Sequence, residues 1–138
     1  LAIALALYGN VELFFIAPEM LAMPQDIKDE IKGKVKFEEG ADLEKFIGGL
    51  DVLYATRIQK ERFPDPTEYE KVKDAYIIGT ETLKGVKPSF RLMHPLPRVN
   101  EISTDLDKTP HALYFEQARN GIPVREALLA MLCGVRKW

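Results

Sequence analysis

Between Gly9 and Gly134 the chain alternates two kinds of apolar pattern. Short runs dense in Val, Ile, Leu and aromatic residues read as buried strands, and longer stretches with apolar positions three or four apart read as amphipathic helices. The strand candidates are Glu12 to Ala17, Lys34 to Glu38, Asp51 to Arg57, Ala75 to Ile78 and Phe90 to His94. Helices are expected between them. Leu1 to Tyr8 reads as the last turns of a helix stopped by Gly9, Pro24 opens a helix through Lys32 that ends at Gly33, and Ala41 to Ile47 carries Leu43, Phe46 and Ile47 on one face. Asp65, Pro66 and Glu68 form a capped start for a helix running to about Lys73. Thr80 to Lys84 fits a short helical turn. Asn120 and Gly121 separate two closing helices, Pro110 to Arg119 and Pro123 to Cys133. Strands alternating with helices predict an α/β fold, a three-layer parallel sheet flanked by helices on both faces. No internal repeat or low-complexity linker interrupts it.

The Leu1 helix has no initiating Met, no N-cap and no polar face. It is expected to be sandwiched between other elements, part of them in an upstream segment. At 138 residues the chain suits one domain, and a chain of this size buries roughly two thirds of its unfolded surface. Hydrophobic residues at 46% and charged residues at 29% argue against disorder and collagen-like repeats.

Nineteen basic and twenty-one acidic side chains leave a net charge of -2. No global field draws in nucleic acid or an anionic membrane, so any anion site must be local. The longest apolar stretch, Leu1 to Tyr8, is far shorter than the roughly 20 residues that span a bilayer. The single cysteine, Cys133, is expected to be a buried, inert thiol, and a cytoplasmic location fits best. His94, His111 and Cys133 lack metal-ligand spacing, and no dinucleotide or phosphate-loop glycine motif follows any strand, so neither metal nor cofactor is indicated.

In an open parallel sheet, ligands bind beyond the carboxyl ends of the strands. Two such exits stand out. After the strand at Asp51, an extended run would put Arg57, Gln59 and Glu61 on one side and Lys60 and Arg62 on the other. Arg57 offers a planar fork, Gln59 an amide donor and Glu61 an acid to orient the fork, together a carboxylate receptor. Spacing alone favours the plainer reading, a solvated run of surface ion pairs. After the strand at Phe90 come His94, Pro95, Leu96, Pro97 and Arg98. Two prolines fix their own φ and remove two donors, leaving carbonyl acceptors suited to a nitrogen-bearing substrate. His94 is read as a structural hydrogen-bonding residue in preference to a general base.

Three long segments then carry a resemblance. Asp51 to Arg62 (DVLYATRIQKER), His94 to Ile102 (HPLPRVNEI), and Tyr114 to Gly121 (YFEQARNG) with Arg125 resemble the catalytic chain of aspartate carbamoyltransferase, in that family's order. Phe15 to Pro18 and Leu21 to Pro24 extend the likeness to essentially the whole chain, but only to the second half of that enzyme. The resemblance implies a Rossmann-like aspartate-binding domain over residues 1–138, with the carbamoyl phosphate-binding domain absent from this chain. It implies transfer of a carbamoyl group from carbamoyl phosphate to the amine of L-aspartate, an early step of pyrimidine synthesis, by a homotrimer of catalytic chains to which a regulatory chain can bind.

By the same resemblance, Arg57 and Gln59 hold the aspartate carboxylates and Glu61 orients Arg57. The carbonyls of Pro95 and Leu96 receive substrate nitrogens, Leu96 and Pro97 lie against the carbamoyl group across a cis bond, and Arg125, opening a helix beside the pocket, adds positive potential. The segment from Lys60 to about Glu70 corresponds to a loop that closes over the substrates. The family's phosphate-binding Ser-Thr-Arg-Thr motif, its His-Pro-Thr-Gln motif and a second aspartate-binding Arg have no counterpart in this sequence. Without them the chain alone is expected to be inactive. An ornithine carbamoyltransferase would carry a Cys in the motif where His94 to Pro97 stand. The other alternative is a non-catalytic assembly domain with the same fold.

Overall fold

The computed structural model describes residues 1–135, and these fall into two compact units, Leu1–Ile47 and Gly48 onward. In the first unit, α1 (Ala2–Ala6) precedes β1 (Glu12–Ile16), then α2 (Gln25–Ile31), β2 (Lys36–Gly40) and α3 (Leu43–Ile47). β1 and β2 pair in parallel from Glu12 opposite Lys36 to Ile16 opposite Gly40. The helix between them supplies the crossover that a parallel pair requires. Ile31 is fully buried, and Phe14 packs on Phe46 with ring centroids 5.4 Å apart. That ring comes so close to Gly40 that a Cβ there would sit 2.7 Å from Phe46 Cε2, hence glycine at the strand's end.

β2 starts two residues later than the pattern predicts. The amides of Lys34 and Val35 both donate back to the Ile31 carbonyl, extending the end of α2 through Gly33, whose φ of +79° suits glycine. Pairing begins only once those donors are released. α1 buries only Ala6 and leaves Leu1, Leu7 and Tyr8 exposed.

The second unit is built on β3 (Val52–Tyr54) and β4 (Arg91–Met93), again parallel, with Leu53 opposite Leu92. β4 is held on both edges. Arg91 N–H donates to the Asp51 carbonyl and Ala55 N–H to that of Met93, whereas Leu92 exchanges hydrogen bonds with His111 and Leu113. Phe90, Leu92, Leu106 and Tyr114 are fully buried around it. The 3₁₀ turn Lys60–Arg62 and α4 (Pro66–Val72) follow β3, the 3₁₀ turn Thr104–Lys108 follows β4, and α5 (Tyr114–Leu132) comes last. α4 begins as its sequence predicts, with the Asp65 carboxylate accepting from Thr67 N–H at 2.8 Å.

Four expectations need correction in this unit. Ala75 to Ile78 is no strand: the Ala75 amide closes a turn back to Val72, leaving a single parallel bridge between Ile78 and Ile102. The last helix starts at Tyr114 and not at Pro110, because Leu113 N–H is spent on the Leu92 carbonyl. It then runs through Gly121 and Pro123 as one helix. Pro123 costs roughly 3 kcal/mol relative to Ala, but an established helix continues without a second nucleation penalty. Cys133 is exposed, not buried, because the last turns of this helix leave Leu128, Leu129 and Leu132 uncovered as well. Among the described residues no helix is long and apolar enough to cross a membrane, and no three His, Cys, Asp or Glu side chains gather as a metal-ligand set.

One polar cluster ties the exit of β4 to α5. The Arg98 guanidinium makes a two-pronged pair with Asp107, one prong at 2.7 Å, and lies over the Tyr114 and Phe115 rings, while Tyr114 OH donates to the same carboxylate. The hydrogen bond from Arg98 holds Asp107 down at about 2, from an ordinary 3.8. Burial, then Asp107, pushes the Tyr114 hydroxyl up to about 12. The folded Asp107 binds its proton less readily than the unfolded one, so its contribution is complete above pH 3.8 and is lost as pH falls toward about 2. For Tyr114 the contribution is complete below pH 10 and fades toward about 12. Asp107→Asn should therefore lower stability by about 1–2 kcal/mol at neutral pH, a figure reduced for solvent screening of a partly exposed carboxylate. In denaturant melts the gap between variant and wild type should narrow toward pH 2.5; a constant gap would contradict the assignment.

Candidate functional site

The parallel register of β3 and β4 determines where the chemistry-bearing residues emerge. With Tyr54 opposite Met93, the segments beginning at Ala55 and His94 leave the sheet side by side at the carboxyl ends of their strands. A cleft of about 420 Å³ lies there, lined by Thr56, Arg57, Gln59, Arg62, His94, Pro95, Leu96 and Pro97. The two exits singled out in the sequence thus face one space.

On the β3 side the chain leaves the strand after Tyr54 and closes a 3₁₀ turn at Lys60–Arg62. The strictly alternating run from Arg57 to Arg62 is therefore not formed. Three residues per turn bring Gln59 and Arg62, three apart, to one side, so Arg62 joins Arg57 and Gln59 on the cleft. Sequence alternation had put it on the opposite side. Arg57 Nη2 donates to Glu61 Oε1 at 3.1 Å, with both side chains partly in solvent. Arg57 has five N–H donors, so this single contact leaves it well provided for an anion.

On the β4 side the turn is held by its own side chains. The bond from Leu96 to Pro97 is cis, and Leu96 has a φ of +53°, a left-handed conformation uncommon outside glycine. Such a residue costs roughly 1–3 kcal/mol, and strain of this kind clusters at functional sites. Leu96 N–H donates to His94 Nδ1 at 2.9 Å, and His94 N–H donates to Gln117 Oε1 at 3.0 Å. Gln117 Nε2 in turn reaches Tyr54 OH at 3.3 Å, linking α5 to the end of β3. Gln117 carried no signal of its own in the sequence beyond lying in the segment from Tyr114 to Gly121.

The His94 ring is buried, with Nε2 at 2.8 Å from Glu101 Oε1. By distance this is an ion-pair contact; its alignment falls short of a regular hydrogen bond, so its effect is chiefly electrostatic. Burial lowers the His94 pKa; Glu101 raises it and Arg98 adds to the lowering. Nδ1 is taken by Leu96 N–H and Nε2 faces Glu101, so neither ring nitrogen is free to serve the cleft as a base.

Arg125 stands apart from the cleft lining. It lies inside α5 and does not open a helix, since that helix is continuous, and its Nη1 donates to the Gly121 carbonyl at 3.0 Å. The other seven sequence candidates either line the cleft or, as Glu61, touch a residue that does.

Comparison with known proteins shows the family. Residues 1–132 match the family model described as aspartate/ornithine carbamoyltransferase, Asp/Orn binding domain. The aspartate carbamoyltransferase catalytic subunits of Thermococcus kodakarensis and Methanosarcina mazei are 56% and 53% identical over 136 residues, 98% of this chain. The solved catalytic subunit of M. jannaschii aspartate transcarbamoylase superposes with a TM-score of 0.85 at 51% identity, covering 96% of this chain and 44% of that one. The Trypanosoma cruzi enzyme in complex with carbamoyl phosphate and aspartate gives 0.78 at 35% identity, over 86% of this chain and 40% of that one. The chain spans 44% of the length of the two curated relatives. It belongs to the aspartate/ornithine carbamoyltransferase family.

Proposed function

We propose that this chain is the aspartate-binding half of an aspartate carbamoyltransferase, the carbamoyl phosphate half lying outside it. The observation that carries the proposal is that Arg57, Gln59 and the Pro95 to Pro97 turn line one cleft. Arg57 and Gln59 bind the aspartate carboxylates, Glu61 fixes the plane of Arg57, and Arg62 adds positive charge. Carbonyls of Pro95 and Leu96 take the N–H groups of the substrates, and Leu96 and Pro97 lie against the carbamoyl group. The amine nitrogen of aspartate then attacks the carbamoyl carbon, the bond from that carbon to the phosphate oxygen breaks with its electron pair going to the phosphate, and the departing phosphate takes the proton that the amine loses. Products are N-carbamoyl-L-aspartate and phosphate.

Within this half the residues contribute positioning: two reactants held in reacting geometry avoid an entropy cost of up to roughly 7–11 kcal/mol. Stabilisation of the charge that develops on the carbonyl and phosphate oxygens falls to the other half, so the chain alone is inactive. Arg125 adds to the potential near the site from α5. The complete enzyme works in the cytoplasm as a homotrimer to which a regulatory chain can bind. Two cleft guanidiniums favour a dicarboxylate over ornithine, whose side-chain ammonium would meet like charge.

In the complete gene product, Arg57→Ala should raise the half-saturating aspartate concentration about 10- to 100-fold, as expected for loss of a charge-assisted contact worth about 1.5–3 kcal/mol. Half-saturation by carbamoyl phosphate should change little. Steady-state kinetics with each substrate varied in turn test this, and unaltered aspartate dependence would refute the role. Glu61→Gln should give a smaller rise, about threefold, because the lost ion pair is solvent-exposed. Ornithine offered at the same concentrations should yield no citrulline; ready turnover would overturn the substrate assignment, and an inert wild-type product would favour an assembly role.

A further inference from the structure

Glu101 is a nearly buried carboxylate, and the catalytic reading above does not use it. Both its oxygens accept from Val99 N–H, at 3.1 and 3.3 Å, and Oε2 also accepts from Asn100 N–H at 3.1 Å. The same carboxylate stands 2.8 Å from His94 Nε2. It therefore bridges the last residues of the proline-rich loop to its first.

A backbone N–H can only donate, so the 2.9 Å contact between Leu96 N–H and His94 Nδ1 requires Nδ1 to be unprotonated. The proton of the neutral ring must then sit on Nε2, the atom that faces Glu101. Reversing the tautomer would set two N–H groups against each other at Leu96 and a bare ring nitrogen against the carboxylate.

We infer that Glu101 and His94 are positioning residues for the cleft: Glu101 fixes the His94 ring with its proton on Nε2, and His94 Nδ1 in turn holds Leu96 in its left-handed conformation. Neither touches substrate. Their catalytic consequence rests on the carbamoyl-transfer reading, because Leu96 is the residue which that reading sets against the carbamoyl group.

Asparagine and glutamine separate the two ring nitrogens. The His94→Asn side chain puts an acceptor oxygen about where Nδ1 stands, whereas His94→Gln reaches toward the position of Nε2 and leaves Leu96 N–H without a partner. In the complete gene product, H94N should keep carbamoyl transfer within a few-fold of wild type. H94Q should lose about 10- to 100-fold in kcat, the scale expected for a misplaced reacting group, with a smaller change in the KM for aspartate. Ring nitrogen-15 shifts, assigned by the signal that H94N removes, should report the Nε2–H tautomer in wild type and a mixture of tautomers in E101Q. A wild-type ring protonated on Nδ1, or H94Q as active as H94N, would overturn the inference. Should H94Q fail to fold, the E101Q spectrum still decides it: an unshifted tautomer counts against Glu101. A wild-type product unable to transfer carbamoyl groups would sink the functional reading, while the ring spectrum would still judge the His94 arrangement by itself.

Discussion

The pairing of β4 on both edges is the constraint on which the site depends. A strand that gives Arg91 and Met93 to one neighbour and both polar groups of Leu92 to the other has no freedom to slide. A one-residue slip would turn the buried Leu92 outward and bring Arg91 or Met93 into its place. Register therefore sets which residues leave the sheet together. Because β3 is parallel to β4, its carboxyl end is on the same side, and a cationic exit and a proline-rich exit come to share a cleft.

Arg57 on the cleft and Arg98 just beyond the proline turn show how context divides identical side chains between tasks. Arg98 follows the proline turn, yet its fork is consumed by Asp107 and its face by two aromatic rings. It anchors the turn to the 3₁₀ segment and α5 and has little left for a ligand. Among the described residues Arg57 meets only one carboxylate oxygen, at 3.1 Å, on a partner largely in solvent. An exposed pair of this kind is worth at most about 1 kcal/mol, so Arg57 can exchange part of it for an incoming anion at little cost.

Features governed by local chemistry were legible in the sequence. β1, β3 and β4 declare themselves by apolar density, the Asp65 cap by its spacing, and the Arg57 to Glu61 contact by separation and charge. What misled was competition for backbone groups by segments distant in sequence or by the preceding helix. Nothing near Pro110 indicates that Leu113 N–H is claimed by Leu92, and nothing near Lys34 indicates that Ile31 holds the next two amides. Arg62 was misplaced for a related reason: alternation holds only while the chain stays extended, and a 3₁₀ turn changes the period from two to three. Cys133 was expected inside because its neighbours are apolar, but apolar composition does not guarantee that a covering element lies in the same chain.

The two walls of the cleft also differ in how firmly they are built. The turn at His94 to Pro97 is tied to α5 by Gln117, to the 3₁₀ segment by Arg98 and to its own far end by Glu101, so its polar groups have partners from several elements. The opposite wall continues into a segment from Lys60 to Val72 that buries only Val72. Its cohesion comes from an Asp65 cap, an edge-on contact of Phe63 with Tyr69 and Lys60 over the Tyr69 ring, each worth about 2 kcal/mol or less. Few buried apolar contacts mean a low free energy of local opening. A cleft made of one fixed wall and one inexpensive to rearrange can hold a ligand in register while still admitting and releasing it. That division follows from where the buried hydrogen bonds lie.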